Sequence, residues 1–91
     1  MAKKVDGNHT SIVEDLRRLG FSVWDTHTVG KGGPDVIVGI RLHNILVEIK
    51  DGKNDLNEKE KAFKTMWRGP YIVARCAEDV ISYFEFLEDT D

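Results

Sequence analysis

Cysteine is almost missing from this sequence. Its single copy, Cys76, cannot close a disulfide within the chain, and a lone thiol suits a reducing compartment. No basic stretch followed by an apolar one opens the chain, and no apolar run approaches the roughly 20 residues that a membrane span needs. These absences set the expectation of a cytoplasmic protein with no membrane partner. Repeats, linkers and low-complexity segments are also absent. The three histidines, His9, His27 and His43, show no ligand-like spacing with Cys76, which argues against a zinc site. Ser11, Ser22 and Ser82 lack the neighbours that activate a nucleophile. Any excess of one charge is small too, since 13 basic side chains stand against 16 acidic ones. Disorder requires a strong imbalance and few apolar residues, so 41% hydrophobic content indicates a folded chain.

What is present fits a single domain over residues 1–91. A chain this short buries only about 60 to 65% of its unfolded surface. Pairing with a second copy would add stability, so a homodimer is expected. The net charge of -3 hides a local contrast. The last seven residues, EFLEDTD, hold four of the acids, and the rest of the chain balances 13 basic side chains against 12 acidic ones. With screening over about 8 Å at physiological salt, a local basic strip matters more to a nucleic-acid partner than the total. Lys31, Lys50, Lys53, Lys59, Lys61, Lys64 and Arg68 could form it, with Arg17 and Arg18 adding to it. For any one of them, a solvated helix face is an equally good explanation.

The opening MAKKVDG has no periodicity and reads as loose over about residues 1–7. From about Asn8 to Leu19, Ile12, Val13, Leu16 and Leu19 recur at helical spacing, and Gly20 stops the helix. Ser11 and Glu14 have capping-box spacing. FSVWDT alternates like a strand, and the glycines of THTVGKGG make it a loop. Strands over about Asp35 to Ile40 and Asn44 to Lys50, joined tightly near Arg41 to His43, predict an antiparallel hairpin. Asn57 and Glu60 form a second capping-box pair, starting a helix with Phe63, Met66 and Trp67 on one face and Gly69-Pro70 at its end. YIVAR, unbroken and apolar, predicts a central, covered strand, with Cys76 a small hydrophobe after it. The closing helix has Glu78 and Asp79 in its first turn and Val80, Ile81, Phe84 and Leu87 inward. Tyr83, Phe84 and Phe86 suit core and dimer contact, and an acidic tail covers about 85–91. The predicted fold is an α/β sandwich, a mixed four-stranded sheet flanked by helices in the order α-β-β-β-α-β-α.

Three charges break the hairpin GGPDVIVGIRLHNILVEIKDG, residues 32–52. Equal counting outward from a turn near Arg41 and Leu42 puts Asp35 opposite Glu48. Alternation puts Glu48 and Lys50 on one face and Ile49 on the other. Like charges about 4 Å apart repel by roughly 4 kcal/mol at an effective dielectric of about 20, so a hairpin shaped for stability alone avoids this pair. Two carboxylates with the Ile49 carbonyl make a hard oxygen site suited to magnesium or manganese. Such an ion holds a phosphate oxygen and lowers the pKa of a bound water, while Lys50 would orient that water or stabilise growing charge. Phosphodiester hydrolysis follows. Gly32 and Gly33 allow close backbone approach, and Pro34 fixes the start of the strand. The competing explanation is an acid that begins a strand after proline, with Glu48 and Lys50 at a solvated strand end.

Pro34-Asp35, a short hairpin and Glu48-Ile49-Lys50 resemble the PD-(D/E)xK nuclease signature, and the element order agrees with that restriction-endonuclease-like fold. More finely, LRRLG, GKGGPDVIVG, EIKDG and LNEKEKAFKTMWRGPYIV are similar to segments of the stand-alone phage VRR-NUC (virus-type replication-repair nuclease) family, over about residues 8–84. The resemblance implies a magnesium- or manganese-dependent endonuclease with Asp35 and Glu48 as ligands, Ile49 giving its carbonyl and Lys50 as catalytic lysine. It also implies a homodimer acting on branched DNA such as four-way (Holliday) junctions, in the host cytoplasm if phage-encoded. Lys31, Gly32, Gly33, Lys53, Lys61 and Lys64 are the candidate DNA contacts. Two positions depart from the family pattern. Ser11 stands where relatives carry a metal-site glutamate, leaving Glu14 one turn later as a substitute ligand or as the capping partner. Lys61 stands where they often carry glutamine. The alternatives are a nicking or flap nuclease of the same fold, or a DNA-binding module that cleaves weakly or not at all.

Overall fold

The computed structural model describes residues 7–90, Thr90 by its backbone alone. The expected loose N-terminus, apart from Gly7, lies outside the described residues. Helix α1 (His9–Arg18) leads to β1 (Ser22–Asp25), a 3-10 turn (His27–Val29), and the hairpin of β2 (Val36–Ile40) and β3 (His43–Ile49). Helix α2 (Glu58–Met66), β4 (Tyr71–Ala74) and α3 (Ala77–Thr90) follow. Three helices and a mixed four-stranded sheet are thus present, with the 3-10 turn inserted into the expected order. The sheet runs β1-β2-β3-β4; its first two pairings are antiparallel and β3 pairs β4 in parallel.

Alternation along β2 and β3 builds the core. Val36, Val38, Ile45, Val47 and Ile49 share one face and bury it against Ile12, Val13 and Leu16 of α1 and Val80 and Phe84 of α3. The opposite face carries Ile37, Leu46, Glu48 and Lys50 by the same alternation, and α2 sets Phe63 against Tyr71 of β4. The acidic C-terminal segment continues α3 as helix to Thr90, and its Glu88 pairs with Arg41 at the hairpin tip, 2.7 Å away. No helix among the described residues is long and apolar enough to cross a membrane.

Several local expectations need correction. Strand β4 lies at the sheet's edge rather than its centre. Its unbroken apolar character reflects partial cover on both faces, by α3 on one and Phe63 on the other. Ser11 and Glu14 do not cap α1; the N-cap is Asn8, and both residues sit inside the helix on its exposed side. Cys76 is exposed, not a packed hydrophobe. Met66 and Trp67 are exposed as well, although Trp67 stacks on Phe63 with ring centroids 5.7 Å apart. The second capping box forms as expected. Asn57 accepts from the Glu60 N–H and the Glu60 carboxylate accepts from the Asn57 N–H, both at 2.9 Å.

Glycine matters most at Gly32. Its φ is 80°, and a Cβ there would lie 2.5 Å from the Lys59 carbonyl oxygen. The close backbone approach anticipated for this loop is therefore made by α2 of the same chain. Gly32→Ala must leave the left-handed region or push α2 away, so a loss of at least about 2 kcal/mol is expected in urea unfolding. An unchanged midpoint would mean that the loop does not rest on α2.

Candidate functional site

The hairpin turns through two residues, Arg41 and Leu42, both at positive φ (51° and 69°). Its register pairs Val36 with Val47, so one step further out Asp35 faces Glu48 on the same side of the sheet. The Asp35 N–H donates to the Val47 carbonyl at 3.0 Å, and Asp35 Oδ2 accepts the Ile49 N–H at 2.8 Å. Asp35 is 2% exposed, Glu48 0% and Lys50 9%. A solvated strand end does not describe these residues. Buried carboxylates are costly unless hydrogen-bonded or paired, and here the partners are visible.

Lys50 Nζ lies 3.3 Å from Glu48 Oε2 and 2.8 Å from Glu60 Oε1. Burial alone pushes the lysine pKa down. The hydrogen bond to Glu60 and the charges of Glu48 and Glu60 outweigh it, holding Lys50 above its ordinary value. Its backbone is fixed too. Its N–H donates to the Ala74 carbonyl at 3.0 Å, and its carbonyl accepts from Asn8 Nδ2 at 3.1 Å. Lys50 is therefore a positioned cation at neutral pH.

Glu60 escaped the sequence reading as a site residue. It is 1% exposed and joins α2 to Lys50 through the same oxygen that closes the capping box. An acid at the third position of a capped helix looks fully used by the cap; a buried Lys50 looking for a second carboxylate was the available signal. Lys61, one position on from Glu60, is exposed and 3.7 Å from Glu58.

The remaining predicted residues spread around this centre. Glu14, on the exposed side of α1, does not join the buried group. Ile49 lies between Glu48 and Lys50 with its side chain in the core. Lys31 and Lys59 line one shallow depression with Phe63 and Met66. Lys53 and Lys64 are exposed. Arg75 holds the turn that carries Lys53, donating to the carbonyls of Gly52 and Asn54 at 2.9 and 2.8 Å. Arg17 and Arg18 are engaged locally, with the Val23 carbonyl and with Asp15. Comparisons with protein-family models, curated proteins and solved structures find no match for the chain.

Proposed function

We propose that the chain is a metal-dependent phosphodiester hydrolase with a restriction-endonuclease-like sandwich. The observation that carries this reading is the burial of Asp35 and Glu48 side by side at the hairpin end, with Lys50 held between Glu48 and Glu60. Carboxylate oxygens with a backbone carbonyl suit Mg2+ or Mn2+, so Asp35, Glu48 and the Ile49 carbonyl are the groups that would hold it. The ion, when bound, supplies Lewis-acid charge to a phosphate oxygen and a more acidic water. Lys50 works beside it as a donor. Its raised pKa keeps the proton on Nζ, so it stabilises charge on the phosphorus oxygens and orients the attacking water rather than removing its proton.

More particularly, we read the protein as a VRR-NUC-type endonuclease of the cytoplasm, cutting branched DNA as a homodimer, with four-way junctions as the leading substrate. Exposed Lys31, Lys53, Lys61 and Lys64 are its DNA contacts, whereas Gly32 and Gly33, expected among them, are buried, Gly32 against α2. The exposed apolar residues Val29, Met66 and Trp67 support an association with a second copy. A two-fold junction offers two equivalent strands to two equivalent sites. Labelled four-way junctions, forks and linear duplexes, each incubated in Mg2+, Mn2+ or chelator, test this. Symmetric paired cuts support the resolvase, and single cuts support a nicking or flap nuclease. Retention without metal-dependent cutting would leave a DNA-binding module and end the enzymatic reading.

A further inference from the structure

A second cluster of ligating side chains lies at the same end of the sheet. Asp25 closes β1 and pairs with Val36, so alternation turns its side chain to the face opposite that of Asp35. There α1 contributes His9 and the 3-10 turn contributes His27. His9 Nε2 is 3.0 Å from Asp25 Oδ2, and His27 Nδ1 contacts Asp25 Oδ1. The same Oδ1 accepts the His27 backbone N–H at 3.1 Å. One ligand atom from each of the three residues lies within 4.8 Å of the others. An ion held at about 2.0 to 2.2 Å from each gathers its ligands to within roughly 4 Å of one another, so small side-chain rotations would complete the site.

Two imidazoles and one carboxylate are a borderline nitrogen and oxygen set, unlike the all-oxygen set around Asp35. We propose that His9, Asp25 and His27 form a separate divalent metal site, and that zinc is the ion it takes. His9 comes from the start of α1, and Asp25 and His27 come from where β1 passes into the 3-10 turn, so the ion would fasten together two segments that the sequence separates. A metal on His9 Nε2 fixes the ring proton on Nδ1, making that nitrogen a donor. His9 Nδ1 is buried without a hydrogen-bond partner, and so is Oδ1 of the adjacent Asn8, an acceptor. Asn8 is the residue whose Nδ2 holds the Lys50 and Arg75 carbonyls at 3.1 and 3.0 Å.

Calorimetric titration of the chelator-stripped full chain with Zn2+, and of a second sample with Co2+ followed by visible absorption, tests the assignment. One Zn2+ per chain is expected, with a Co2+ spectrum of nitrogen-containing, low-coordinate type. His27→Ala and Asp25→Asn should each weaken zinc binding by at least about a hundredfold, with the helical circular dichroism retained. Asp35→Asn should bind zinc as the parent does, which separates this site from the proposed catalytic one. Absence of zinc binding by the parent chain, undiminished affinity in His27→Ala, or loss of binding in Asp35→Asn alone would each overturn the assignment. The first of these would leave a hydrogen-bonded His-Asp-His cluster.

Discussion

Alanine at position 60 is expected to cost about 3 to 5 kcal/mol, the range for removing one partner of a buried ion pair. Against a total of about 5 to 15 kcal/mol for a small domain, that is close to unfolding. Glu60 is 1% exposed, and one of its oxygens accepts both Lys50 Nζ at 2.8 Å and the Asn57 N–H at 2.9 Å. Its loss leaves Lys50 buried with fewer acceptors and removes half of the α2 cap. Glutamine keeps an acceptor oxygen without the charge, so Glu60→Gln should fall between the parent and Glu60→Ala. The pH dependence separates the charge from the cap. Lys50 has a folded pKa above the ordinary 10.5, so the folded chain holds that proton more tightly than the unfolded chain does. The resulting stability is fully present below about 10.5 and is lost as pH rises through the folded value. Glu60→Gln should therefore show a shallower alkaline decline. Urea midpoints from pH 7 to 11 measure both effects; a parent-like midpoint for Glu60→Ala would remove Glu60 from the buried pair.

The second large effect concerns the proposed cleavage. Asp35→Asn should slow junction cutting in Mg2+ by about a thousandfold, the scale of losing a group that stabilises charge in the transition state. The amide oxygen can still accept the Ile49 N–H that Asp35 Oδ2 accepts at 2.8 Å, so stability should change by no more than about 1 kcal/mol. Lys50→Ala is a poorer probe, because it takes the ammonium away from two buried carboxylates and so couples activity to stability. Single-turnover rates on a labelled four-way junction, with the urea midpoint alongside, provide the measurement. Cutting at the parent rate would show that Asp35 is not a ligand.

The legible parts of the fold were those decided locally. The hairpin, its two-residue turn and the Asp35-Glu48 register follow from counting and alternation, and the α2 cap follows from Asn57 and Glu60. Local signals do not say which strand neighbours which, so the apolar YIVA of β4 suggested a central place when the strand lies at an edge. Glu60 was read as a cap alone because its second partner is distant in sequence and meets it only when α2 folds back onto β3. The meeting of His9 and His27 is equally hidden from local signals. Eighteen positions separate them, and Asp25 joins them only because β1 ends beside the start of α1. Ser11 and Glu14 erred in the opposite direction, since correct spacing produced no cap once the helix began at His9.

Since a single Glu60 oxygen serves both the first turn of α2 and the ammonium of Lys50, the start of that helix and the buried lysine beside it are mechanically linked. A ligand that drew the lysine aside would loosen the helix at its root. At the far end Trp67 rests on Phe63, where its indole would report the disturbance as a change in fluorescence.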